Sequence, residues 1–172
     1  MSIILLFGLV GVLVFLLFTK PFLKVLEGHR YVHLLEKQTW FQHTLKAGLF
    51  ACLVNIGLVS ITVVFLYIPV WIDFVMSPLF PMAFGVIGSV IVWGLLNRGY
   101  KGERPILMAF IGSSIYLVIL IVALVFFFRP TERMGEALFH WEIALMLIIV
   151  VSLVAWITSL YVLSYRSKKE SD

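Results

Sequence analysis

Long apolar runs separated by short polar stretches organise this chain. Five of them, about residues 2–18, 47–68, 79–96, 106–128 and 143–165, read as membrane spans. A helix rising 1.5 Å per residue needs about 20 residues to cross the hydrocarbon of a bilayer. The first run only just reaches that length, and the fourth has length to spare. The runs are continuous rather than alternating, which argues against barrel strands. A chain in lipid must satisfy its own backbone hydrogen bonds, and a helix does so. The predicted fold is all-α: one polytopic membrane domain over residues 1–172, with five transmembrane helices. The stretch "YIPVWIDFVMSPLFP" stays apolar around Asp73, so the ends of the second and third spans are free to shift by about four residues.

Composition agrees with the pattern. Hydrophobic residues make up 62% and charged residues 13% of the 172, with a mean hydropathy of +1.10. That leaves too little polar surface for a soluble domain of this length. The first run has no basic residue before it and Lys20-Pro21-Phe22 after it, so it reads as a retained helix rather than a cleaved signal.

Charge gives the orientation. The first connection holds Lys20, Lys24, Arg30, Lys37 and Lys46; the third holds Arg98, Lys101 and Arg104; the tail holds Arg166, Lys168 and Lys169. Only Arg129 and Arg133 fall on the opposite side, so eleven of the thirteen basic residues share one face. Positive-inside bias therefore predicts the N-terminus outside and the C-terminus inside, in the plasma membrane. The net charge of +4 then reflects topology and attraction to anionic lipid at the inner face, not nucleic-acid binding. Tyr67, Trp71 and Trp141 are expected at the outer interface, and Trp40, Trp93, Tyr100 and Tyr165 at the inner one.

The predicted spans carry no Asp, Glu, Lys, Arg or His in their cores, and all six prolines lie in connections or at span ends. Ion pathways and proton relays usually need intramembrane charge, and broken helices mark many secondary transporters. Packing chemistry remains. Gly85 and Ser89 stand four apart in the third span, with Gly88 beside them, a spacing that lets helices approach closely. Gly8 with Gly11, and Ala47 with Ala51, offer the same. Asn55 needs a partner within the second span: a backbone carbonyl, Ser113 or Ser114, or a second protein. Asn55, Gly85, Gly88 and Ser89 are thus the candidate helix-packing or partner interface. Cys52 is the one cysteine, so neither an internal disulfide nor a thiolate cluster can form.

Two polar stretches invite a chemical reading. Residues 20–46 form an inner segment of helical composition, containing "HRYVHLLEKQTWFQH". On a helix His29, His33, Glu36 and His43 fall within an arc of about 80°. His29 and His33 at i, i+4 suit a transition metal, but two histidines do not close a site, and Phe22, Leu26 and Trp40 share the arc. A belt at the headgroup level explains the segment without a ligand. In the outer loop 129–142, Glu132, Glu136 and His140 recur every four residues, with Asp73 on the same side of the membrane. Carboxylates with an imidazole suit a divalent cation or acid–base work, and a short solvated helix accounts for them equally. No metalloprotease, hydrolase or phosphate-loop motif occurs.

No cofactor or metal is therefore expected. The sequence reads as a non-catalytic membrane protein acting as an accessory, assembly or regulatory partner of another membrane protein, or of itself. The alternatives are a small oligomeric transporter or channel component, and a membrane-embedded enzyme or metal-dependent sensor.

Overall fold

The computed structural model describes residues 19–26, 28, 30–71, 79–128 and 135–165, and these residues hold helices and turns without a β-strand. Two short helices come first, α1 (Thr19–Leu26) and α2 (Arg30–Glu36), followed by a 3₁₀ turn at Thr39–Gln42. Four long helices follow: α3 (Thr44–Trp71), α4 (Leu79–Gly99), α5 (Pro105–Phe127) and α6 (Gly135–Ser164). Among the described residues, three stretches are long and apolar enough to cross a membrane: Thr44–Phe65, Pro105–Phe127 and Ala144–Ser164. The predicted third span lies within α4. The predicted first span, 2–18, lies outside the described residues.

The helices overrun the predicted spans where nothing stops them. Helix α3 starts at Thr44, three residues before Ala47, because the polar first turn needs no lipid to be helical. Helix α6 starts at Gly135 and takes in most of the expected outer loop. The sequence Glu136-Ala-Leu-Phe-His-Trp-Glu142 has no breaker between it and the span, so a separate solvated helix does not form. At the other end, Pro105 occupies the first turn of α5, where its missing N–H costs nothing.

Helices α3 and α5 start from one end of the bundle, and α4 and α6 return to it. Helix α3 packs on α4 and α5, and α6 packs on α5 and α4, the α5–α6 interface being the most extensive. The two short helices lean on α4 near that same end. Close approach between α3 and α5 rests on small residues: a Cβ built on Gly112 would lie 2.8 Å from that of Ala51, and one on Gly48 would lie 2.8 Å from that of Ile111. Apolar side chains still cover the outside of the bundle, among them Leu49, Leu53, Val118, Val122 and Val151. Lipid tails are as apolar as Leu, so such residues gain nothing by turning inward.

Candidate functional site

Two polar nodes lie within this apolar frame. The first is centred on Asn55, which is completely buried in α3. Its Nδ2 donates to the Gly112 carbonyl of α5 at 2.8 Å. Its Oδ1 accepts from the Trp93 indole Nε1 of α4 at 2.7 Å, and from the Tyr116 hydroxyl of α5 at 3.4 Å. The Trp93 and Tyr116 rings meet edge to face with centroids 6.0 Å apart, and Ser89 of α4 stands near the Tyr116 hydroxyl. One amide thus ties three helices together. Such a node forms because an amide without a partner in an apolar layer is costly.

The residues expected to form an interface occupy different positions around this node. Asn55 accepts from the Tyr116 hydroxyl, and Ser89 lies near that hydroxyl. Gly85 faces α3, where a Cβ would come 2.6 Å from the Thr62 hydroxyl oxygen. Gly88 has no atom within 4 Å of where its Cβ would stand. Three of the four therefore serve contacts within the chain, and Gly88 opens outward. Trp93, expected in the interfacial belt, is instead buried, because its N–H finds an acceptor in Asn55 and its ring finds Tyr116.

The second node gathers helix C-termini. The last four carbonyls of any helix lack intrahelical partners. The Arg98 Nε donates to the Leu23 carbonyl in the last turn of α1 at 3.2 Å. Asn97 Nδ2 donates to the carbonyls of Leu163 and Tyr165, at the end of α6, both at 2.9 Å. Gln42 Nε2 is shared among the carbonyls of Leu35 and Glu36, which end α2, and Gly99, which ends α4, at 3.4, 3.3 and 3.2 Å. Its Oε1 accepts from the Lys101 backbone N–H at 2.7 Å. Three side chains thereby cap four helices. Each helix end carries roughly half a negative charge, which the Arg98 guanidinium offsets.

Packing closes the same junction. Leu35 seats against Gly99, whose Cβ would fall 2.6 Å from that of Leu35. Phe41 is fully buried and meets Trp40, Phe50 and Tyr100 edge to face. The Thr44 and Tyr100 hydroxyls bond at 2.9 Å. Outside this seam, Glu36 takes His33 Nδ1 at 3.4 Å and Lys101 Nζ at 3.6 Å.

The histidine segment is therefore not one continuous helix. Glu36 ends α2, and His43 lies exposed beyond the 3₁₀ turn, so these residues do not form the single arc expected. His29 lies outside the described residues. Among the described residues no three of His, Cys, Asp and Glu come together in a way that could hold a metal. Of the constellation expected on the outer side, Asp73 and Glu132 lie outside the described residues, while Glu136 and His140 fall in the first turns of α6.

Sequence reasoning missed Gln42, Trp93, Asn97, Arg98 and Tyr116. A signal was available: the chain has only two asparagines and two glutamines, and three of these four amides build the two nodes. In a chain this apolar, each amide beside a span deserves treatment as a helix-joining group. Comparison with known protein families, curated proteins and solved structures finds no match to this chain.

Proposed function

We propose that this chain is a five-span plasma-membrane protein, N-terminus outside and C-terminus inside, that acts as a non-catalytic accessory, assembly or regulatory partner of another membrane protein. The observation that carries this reading is the internal use of polar groups in the apolar layer. Asn55, Trp93 and Tyr116 bind one another or a backbone carbonyl. They tie helices together and do not line a route for a solute. A protein built this way presents lipid-facing helices and a rigid inner junction, which suits work through contact.

The second reading is a small transporter or channel component working as an oligomer. It is favoured by three buried polar atoms of α6 that lack a hydrogen-bond partner: Trp156 Nε1, Thr158 Oγ1 and Ser159 Oγ. Buried polar groups in a bilayer usually find partners.

Photocrosslinking separates the two. A photoreactive residue placed at Gly88 or Ile91, on the open face of α4, should give one discrete adduct with a different membrane protein in native membranes. Adducts with copies of this chain alone, together with solute flux in proteoliposomes, would overturn the first reading and favour the second. Topology has its own test, in a Cys52→Ser background. Cysteine at Ser2 or within residues 129–142 should react with an impermeant reagent on intact cells, and cysteine at Lys101 or Lys169 should not. Labelling at Lys101 from outside would remove the five-span orientation.

A further inference from the structure

We propose that the exposed face of α1 and α2 is a docking surface for anionic lipid headgroups. It goes beyond the partner role above, and rests on the span assignment only for the leaflet it would meet. Helix α2 turns Val32, which is buried, and Leu35, which is half-buried, toward the bundle. Its opposite side carries Arg30, Leu34 and the following Lys37, all exposed. At 100° per residue these three fall within an arc of about 60°. Helix α1 repeats the arrangement: Leu23 and Leu26 are buried, while Pro21, Lys24 and Val25 are exposed. Val25 is 80% exposed and Leu34 48%.

A basic surface facing only water would not need large aliphatic residues among its cations, and an apolar docking groove would not need the cations. A helix at the headgroup level needs both: aliphatic groups reaching the acyl boundary and Lys or Arg at the phosphates. Charge complementarity points the same way. Lys24, Arg30, Lys37 and Lys46 are exposed along this segment. Glu36, the described acid among them, is turned toward His33 and Lys101. Placement supports it too, because residue 44 starts an apolar helix of membrane-crossing length. Trp40, 37% exposed and set against Phe41 and Phe50, marks the same level with an amphipathic ring.

The junction described above gives this surface a consequence. The face that would meet lipid is the back of the element that Gln42 and Leu35 fasten to the end of α4. Lipid charge would therefore bear directly on the junction of the four helix ends.

The test uses the full chain with Cys52→Ser, in nanodiscs of zwitterionic lipid with or without an anionic phospholipid. An environment-sensitive fluorophore is attached at Leu34→Cys. Anionic discs should shift its emission to the blue and bring it within reach of a quencher placed at the headgroup or upper acyl chain. Salt at about 1 M, where the screening length falls to about 3 Å, should reverse most of the shift. The triple variant Lys24→Gln, Arg30→Gln, Lys37→Gln should abolish it while melting like the parent in zwitterionic discs, which separates lost docking from lost folding. Identical emission and quenching in both lipids would overturn the proposal, as would a shift that survives the triple variant. A probe that stays in water in anionic discs but is shielded in native membranes would assign the face to an acidic protein and equally overturn it. Nanodiscs expose both leaflets, so none of these outcomes depends on the orientation or the partner role.

Discussion

Asn55→Leu is the most informative single change, because it keeps the branched shape and the number of side-chain heavy atoms and removes both hydrogen-bonding ends. Two short bonds vanish, the 2.8 Å bond to the Gly112 carbonyl and the 2.7 Å bond from the Trp93 indole, along with the longer one from Tyr116. Interhelical bonds in membranes average about 0.6 kcal/mol and reach about 1.7, so the two short ones are worth roughly 1 to 3 kcal/mol together. Most of the loss should come from Trp93. The Gly112 carbonyl lies within a helix, where carbonyls already accept one bond, whereas an indole has a single donor and would be left buried without an acceptor. Trp93→Phe on the same background removes that stranded donor. The double variant should therefore be more stable than the two single losses add up to, with a coupling of about 1 kcal/mol. Reversible unfolding in mixed detergent micelles, followed by circular dichroism, measures all four corners of the cycle. Additivity within about 0.3 kcal/mol would refute the node as an energetic unit.

Three further outcomes test the packing and the junction. Gly112→Val should cost about 1–3 kcal/mol through overpacking against Ala51, and Ala51→Gly in the same chain should recover part of it; equal stability with and without the second change would remove the claim of close approach. Gly85→Leu should destabilise by about 1–2 kcal/mol, the scale of single contacts in membrane packing, because it strikes Thr62. Gly88→Leu should leave unfolding unchanged and disturb partner crosslinking instead; the same penalty at both glycines would contradict the assignment of faces. Gln42→Leu leaves the exposed Lys101 N–H to water and weakens the caps of α2 and α4. A loss of about 1–2 kcal/mol there corresponds to roughly 5- to 30-fold faster opening, read as hydrogen exchange across residues 30–44 and at Lys101. Unchanged exchange in that segment would leave Gln42 without the fastening role.

The histidine stretch and the amides contrast in what the sequence could tell. Helical periodicity put His29, His33, Glu36 and His43 on one arc, but that projection assumes a single unbroken helix. The 3₁₀ turn at Thr39–Gln42 breaks it, because Gln42 is drawn toward the carbonyls of α2 and α4. Asn55 was recognisable as a group in need of a partner, and a backbone carbonyl was among the partners foreseen. Which carbonyl, and that Trp93 would supply the second contact from α4, depended on which helices became neighbours. Arg98 adds a different point. It was counted toward orientation, yet it also caps α1 through Leu23, so a basic residue at a helix end can serve the fold as well as the expected topology. Setting it aside leaves the charge asymmetry intact.

By itself the sequence determined the class of this protein: helical, with long apolar segments. Transfer of residues between water and lipid is close to additive, so a running sum along the chain is enough to find those segments. The tertiary structure decided which faces meet. The long helices are apolar all round, so no stripe marks an inward side, and apolar burial distinguishes no neighbour in lipid. The choice fell to shape and to hydrogen bonds, through Gly48, Ala51 and Gly112 where α3 and α5 touch, Asn55 between three helices, and Gln42, Asn97 and Arg98 at four helix ends. Those contacts join residues far apart in the chain, and whether a donor reaches an acceptor at 2.8 Å depends on geometry that no local pattern encodes.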